Sequence, residues 1–338
     1  MDKSNCKELD THSMPEIYDT TYEPQIPIVE NFLYGGTYLF VGAPKVGKSF
    51  FMAQLSYHVA MGLPLWGNKV HQSTVLYLAL EDTHARLQER LYCMFGVESA
   101  EKLHFAIKAD DLSSELIPQL NYFLKKYPDT KLIIIDTLQK IRPHNSDGNS
   151  YKADYDNVTQ LKSFTDEHHI CMLLVHHTRK MESDDSFDMI SGTSGLLGAA
   201  DGAFVLQRKK RTGLEATMDA TGRDQQDMRY KMAFDPERHA WNLIETETEL
   251  WREPIDPIQN AIMEAVNRML SAQNLEWQGT ATELLAQLPE LDYLDLAPNS
   301  LVRRLNIANT NLFNRYGISY TKKHCHERRI ILKKVSDS

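Results

Sequence analysis

From about Ile26 to Glu245 the apolar residues alternate between two periodicities. TYLFVG (37–42), STVLYLAL (73–80), LHFAI (103–107), KLIIID (131–136) and ICMLLVH (170–176) are short, nearly continuous apolar runs. This is the pattern of strands buried on both faces. Between them, KSFFMAQLSYHVAMG (48–62), DTHARLQERLYCMFG (82–96), a stretch near 113–126 and YKADYDNVTQLKSFTDEHH (151–169) carry apolar residues at helical spacing. The alternation predicts an α/β fold, a mainly parallel sheet with helices on both faces. After Ala200, AFVLQRK, LEATMDAT, RYKMAFD and AWNLIE are four strand-like pieces joined by turns, expected as an antiparallel extension of that sheet.

WREPIDPI (251–258), with Pro254 and Pro257, reads as a linker. Beyond it, helical patterns cover 258–271, 280–288 and 297–317, followed by the strand-like ISYTKK and RRIILKK around HCHE. Three helices and then a hairpin is the order of a winged helix. Residues 1–25 hold only isolated apolar residues, interrupted by Pro15 and Pro24, and are expected as a flexible arm. The expected division is arm 1–25, α/β domain 26–250, linker 251–257 and a small basic, winged-helix-like domain 258–338.

The chain of 338 residues is long enough for one large core and a second small one. No run approaches the roughly 20 apolar residues of a membrane span, and the polar N-terminus does not read as a secretory signal. Four scattered cysteines, Cys6, Cys93, Cys171 and Cys325, form no CxxC pair and point to a reducing cytoplasm. His168-His169 and His324-Cys325-His326 lack a second ligand pair at zinc spacing. The net charge of −9 argues against a uniformly basic surface, but it hides a gradient. Asn299 to Val335 carry nine Lys/Arg and one acid, a net +8, which leaves −17 elsewhere. If the last domain is a winged helix, its third helix would enter a DNA groove with Arg303, Arg304 and Arg315, and its hairpin would meet phosphates with Lys322, Lys323, Arg328 and Arg329. Asn299, Asn306, Asn309 and Asn311 would add contacts. The bland alternative is a module that docks on protein and is merely solvated by its charge.

The chemistry is concentrated in LFVGAPKVGKSF, residues 39–50. It satisfies G-x-x-x-x-G-K-S/T with Gly42, Gly47, Lys48 and Ser49, and it stands between a strand and a helix. Glycines allow backbone N–H groups to curl around phosphates, and the helix aims its positive end at the same anion. Gly42, Ala43, Pro44, Lys45, Val46, Gly47, Lys48, Ser49 and Phe50 are the expected nucleotide-binding loop for ATP. Lys48 would reach the β/γ-phosphates, and Ser49 would ligate Mg²⁺. Asp136, ending KLIIID, is the matching metal carboxylate, although an Asp at a strand end is also a common cap. Glu81, leaving VLYLAL at the ligand edge of the sheet, is the candidate base, with Asp82 as cap of the next helix. His176 and His177 end a strand: one is expected in the core, and the other, His177, beside the γ-phosphate.

With GAPKVGKS, LALED (78–82), LIIIDTL (132–138), LLVHHTRK (173–180) and TGRD (221–224), the chain resembles the RecA-like core of hexameric replicative helicases of the RepA and DnaB types, including RepA-like ATPases of plasmids and mobile elements. The resemblance covers roughly 26–245. It implies Glu81 as catalytic base, His177 as γ-phosphate sensor, and a homo-oligomeric, six-subunit ring with ATP between neighbours. An arginine reaching the next subunit's site falls on Arg223, with Arg208 and Arg211 as fallbacks. It also implies DNA-binding loops at about 139–150, with Lys140, Arg142 and His144, and at about 180–197. The latter is acidic at Glu182, Asp184, Asp185 and Asp188. The expected function is a Mg-dependent ATPase coupled to DNA binding or unwinding in replication or mobility, with replication or mobility proteins as partners. The alternatives are an ATP-switched DNA-binding regulator or loader, and a RecA-fold ATPase acting on proteins.

Overall fold

The apolar runs become strands of a nine-stranded sheet in the computed structural model. It describes residues 9–143, 150–177, 186, 187, 190, 194–208, 213–223, 225–248, 256–270, 275–324 and 328–335. The chain divides into two compact units, Pro27–Trp251 and Met1–Ile26 together with Arg252–Ser338.

In the larger unit, β1 (Gly36–Gly42), β2 (Thr74–Ala79), β3 (Leu103–Ala106), β4 (Thr130–Asp136), β5 (Cys171–His177) and β6 (Gly202–Gln207) are parallel, in the order β3-β2-β4-β5-β1-β6. β7 (Glu215–Gly222), β8 (Gln225–Asp235) and β9 (Ala240–Thr248) continue the sheet antiparallel beyond β6, as the sequence pattern predicts. Strand side chains alternate between two cores. Phe40, Ile134 and Leu173 face the core built with α2 (Lys48–Met61) and α3 (His84–Phe95). Leu39, Ile133 and Leu174 face the one built with α4 (Leu116–Lys126) and α5 (Ser150–His168). Burial on both faces is why these strands read as unbroken apolar runs. α2 is enclosed nearly all round, from Phe51 to Ala60, because β9 of the extension also packs against it.

In the smaller unit, α7 (Pro257–Met269), α8 (Ala281–Ala286) and α9 (Pro298–Tyr316) enclose a core with β11 (Ile318–His324) and β12 (Arg328–Lys334). A short strand, β10 (Glu276–Gly279), pairs along the other edge of β12, making a three-stranded sheet in the order β10-β12-β11. No sequence pattern announces β10; its partner strand creates it.

The arm also differs from expectation. Residues 14–19 form a helix, α1 (Met14–Asp19), opened by a capping box. Ser13 Oγ accepts from Glu16 N, and Glu16 Oε2 accepts from Ser13 N at 2.6 Å. Pro15 falls in the first turn, where proline needs no N–H partner, so it starts the helix rather than breaking it.

Candidate nucleotide site

Parallel register brings the chemistry to one sheet edge. β1 ends at Gly42 opposite His177 of β5, and β4 ends at Asp136 opposite Ala79 of β2, two residues before Glu81. On the other side of β1, Gly42 lies opposite Leu206 of β6, so Arg208 emerges just beyond the same edge.

The loop 42–47 needs glycine at both ends for different reasons. A Cβ on Gly42 would stand 2.6 Å from the Leu206 carbonyl oxygen. Gly47, the N-cap of α2, has φ 107°, and its Cβ would meet the Trp241 ring at 2.8 Å. Trp241, fully buried on β9, donates Nε1–H to the Gly47 carbonyl at 3.2 Å. Gln54 of α2 fixes the Trp241 backbone in both directions, at 2.8 and 3.0 Å. The late antiparallel strands thus form the floor of the loop. Ala43, Pro44 and Lys45 are exposed, and Val46 is buried. Phe50 packs against Phe234 and His239.

Lys48 is 5% exposed, and its ammonium donates to the carbonyls of Gly42 at 2.7 Å and Ala43 at 3.1 Å. Burial pushes it down to about 8, against the pull of Asp136 and Glu81. It also lies 3.1 Å from His177 Nδ1. Burial and Lys48 push the His177 pKa down, so the ring is neutral near pH 7. With Nδ1 accepting from the ammonium, the ring proton sits on Nε2, which is left as a donor. His176 is buried and driven down to about 4, chiefly by burial and then by Arg142, so it is a neutral core histidine. Of the two adjacent histidines, His176 is buried and His177 lies beside Lys48.

Ser49 donates to Asp136 Oδ2 at 2.7 Å, and Tyr77, fully buried on β2, donates to the same oxygen at 2.9 Å. Burial raises the Asp136 pKa, while the two hydroxyls oppose the rise. Glu81 is exposed at the edge and accepts from Thr137 Oγ1 at 3.2 Å. The Asp136–Thr137 peptide is cis. Tyr77, Thr137 and Trp241 are the members sequence reasoning missed. Their only signal is a polar-tipped aromatic or hydroxyl inside a buried run.

Asp82 is not the helix cap: Thr83 is, its side chain accepting from Arg86 N. Asp82 instead pairs with Arg90 at 2.7 Å, since its neighbour already occupies the capping position. Arg208 stacks over Trp241 at 4.9 Å and Phe234 at 5.2 Å, beside the loop of its own chain. Arg223 does not join this edge. It lies 57% exposed, its Nη2 donating to the Gly198 carbonyl, its backbone N–H to Asp201 O. Asp201 holds Thr37, at the start of β1, about 17 Å of strand from Gly42 at 3.3 Å per residue. Arg142 is folded onto Asp154 at 2.9 Å. Arg211, His144 and most of 180–197 lie outside the described residues, as does the side chain of Arg328.

In the smaller unit, the basic candidates are partly engaged. Arg303 forks onto Asp19 at 2.7 and 3.2 Å, and Lys322 donates to the Asp19 carbonyl at 2.6 Å. Arg304 pairs with Asp256 at 2.8 Å, and Arg315 donates to Asn260 at 3.2 Å. Lys323, Arg329 and Asn311 are exposed.

The fold and this edge define a RecA-like P-loop ATPase core. A family profile described as "AAA domain" matches residues 6–183, more than half of the chain, and the chain belongs to that family. No curated protein matches it. A solved structure described as an ATPase domain superposes with a TM-score of 0.53 at 14% identity, covering 62% of this chain and 85% of that one. A DnaB-like replicative helicase, described together with its interactions with primase, superposes at 0.50 with 15% identity, covering 62% of this chain. The chain spans 57% of that helicase. At these identities the likeness is one of fold.

Proposed function

We propose that the chain is a Mg²⁺-dependent ATPase whose turnover is coupled to DNA binding or unwinding, as in replication or mobility of a plasmid or mobile element. The observation that carries the ATPase reading is the convergence of Lys48, the Ser49–Asp136 pair at 2.7 Å and Glu81 at one sheet edge. The residues fit the groups they would hold. Two positions of the loop have no room for a Cβ, as expected of a backbone that curls closely around an anion. A hydroxyl and a carboxylate within hydrogen-bond reach form a hard oxygen set suited to Mg²⁺. Bound there, Mg²⁺ would neutralise charge building on the β- and γ-phosphates.

Lys48 leaves the carbonyls of Gly42 and Ala43 to reach the phosphates. Glu81, steadied by Thr137, accepts a proton from water as its oxygen bonds to the γ-phosphorus; the bond from that phosphorus to the bridging oxygen breaks, and ADP leaves. His177, beside Lys48, donates Nε2–H to the γ-phosphate in this reading and reports its loss. Arg223, solvent-accessible at the opposite edge, serves a neighbouring copy in a ring, whereas Arg208 serves its own site. The small unit, winged-helix-like in element order, supplies DNA contact through Arg303, Lys322, Lys323 and Arg329.

The test is ATP turnover with and without single- and double-stranded DNA, alongside mass by light scattering with a non-hydrolysable analogue. Glu81→Gln is expected to bind ATP and lose turnover; wild-type turnover in that variant would sink the base assignment. The pairing of Arg142 with Asp154 favours a second reading, an ATP-switched DNA-binding regulator without translocation. Turnover indifferent to single strands would select it.

A further inference from the structure

The smaller unit includes the arm, and the arm lies on the face that would meet DNA. α9 presents a stripe of Arg303, Asn306, Asn309, Thr310 and Asn314, spaced so that all share one side of the helix. Each of them bonds the arm. Asn306 donates to Tyr18 O at 2.7 Å and accepts from Thr21 Oγ1 at 3.0 Å. Asn309 donates to Tyr22 O at 2.7 Å, and Asn314 to Gln25 O at 3.1 Å. Gln25 N donates to Thr310 at 3.3 Å, and Arg303 grips the Asp19 carboxylate with two N–H groups. The stripe therefore reads a carbonyl in the last turn of α1, the backbone at Tyr22 and Gln25 beyond it, the Thr21 hydroxyl and one acid.

The acid lies among basic side chains. Asp19, Asn299, Arg303, Lys322 and Arg329 line a cavity of about 230 Å³. That is room for several waters or a small anionic group. A two-pronged guanidinium grip on a carboxylate is also the grip it uses on a phosphate. Residues 1–25 contain six acids and two bases, opposite in sign to the +8 tail.

The attachment is built to release. α1 buries none of its residues, and Met14, Ile17, Tyr22 and Ile26 are exposed, so little apolar burial holds the arm. The Arg303–Asp19 pair is about half exposed on both sides and is weakened by salt. Asn309, 3% exposed, has no partner for its Oδ1 among the described residues, which costs the docked arrangement stability.

We propose that residues 13–25 are a built-in competitor for DNA: the Asp19 carboxylate occupies Arg303 and its backbone carbonyl occupies Lys322, in the place of a backbone phosphate, and the arm must leave α9 before this unit binds DNA. This rests on the reading of the small unit as DNA-binding.

The experiment is fluorescence anisotropy of a labelled duplex with the full chain, at low and moderate salt. Asp19→Ala is expected to tighten binding roughly two- to fivefold, the range set by an exposed ion pair; adding Thr21→Ala tightens it further. Glu23→Ala removes the same charge outside the Arg303 fork and is expected to change affinity less. In the Asp19→Ala background, Arg303→Ala and Lys322→Ala each weaken binding and lower the salt slope by about one. If affinity still depends on Arg303 and Lys322 but Asp19→Ala leaves it unchanged, or if Glu23→Ala matches Asp19→Ala, the competitor is refuted and the DNA reading stands. If no chain shows salt-sensitive binding and the basic substitutions change nothing, both fall.

Discussion

Lys48→Met offers a sharp test of the candidate site, because it should stabilise the folded chain while removing its ligand. The Lys48 pKa drops from 10.5 to about 8, chiefly by burial. A fall of roughly 2.5 in pKa corresponds to about 3 kcal/mol, at 1.36 kcal/mol per unit. The folded-state pKa lies below the unfolded one, so the penalty is fully present below pH 8 and fades as pH climbs toward 10.5. Methionine has similar length and no charge, but it leaves the Gly42 and Ala43 carbonyls without their donor, at about 1 kcal/mol each. The variant is therefore expected to be about 1 kcal/mol more stable than wild type at pH 7 and less stable by about 2 kcal/mol near pH 10.5. Urea unfolding followed by tryptophan fluorescence, without nucleotide, across pH 7 to 10 measures the difference directly. ATP should raise the wild-type midpoint and leave the variant's unmoved. A stability difference that is flat across this range would refute the buried-ammonium reasoning.

Gly47→Ala forces a Cβ to 2.8 Å from the Trp241 ring at φ 107°, and it is expected to cost about 1–3 kcal/mol and abolish the ATP-induced rise in Tm. Tyr77→Phe removes a hydrogen bond that holds the Asp136 pKa down, so the acid limb of turnover should move to higher pH; an unmoved limb in a pH–rate profile counts against Asp136 as metal ligand. Arg223→Ala titrated into wild type should depress turnover more than in proportion if it completes a neighbour's site, whereas a linear response places it outside catalysis.

The sequence alone determined the parallel core, the loop at 42–50 and the strand ends carrying Glu81, Asp136 and His177. Those features follow from local rules: two-faced burial makes strands uniformly apolar, and phosphate binding demands glycines at fixed spacing. The antiparallel extension was also legible as a set of strands. What it does was not. That β9 slides Trp241 beneath Gly47, or that Tyr77 and Ser49 share one oxygen of Asp136, depends on register between segments far apart in the chain. Either Thr83 or Asp82 could cap that helix by residue type; the structure puts Thr83 at the cap and pairs Asp82 with Arg90. The arm shows the limit most plainly. Its polar residues and two prolines read as a segment with no core of its own, which is true, since α1 buries nothing. Only the folded unit shows that its backbone carbonyls meet a stripe of asparagines nearly three hundred residues away. Backbone groups are the same at every position, so no pattern of side chains along the arm could have announced that partner.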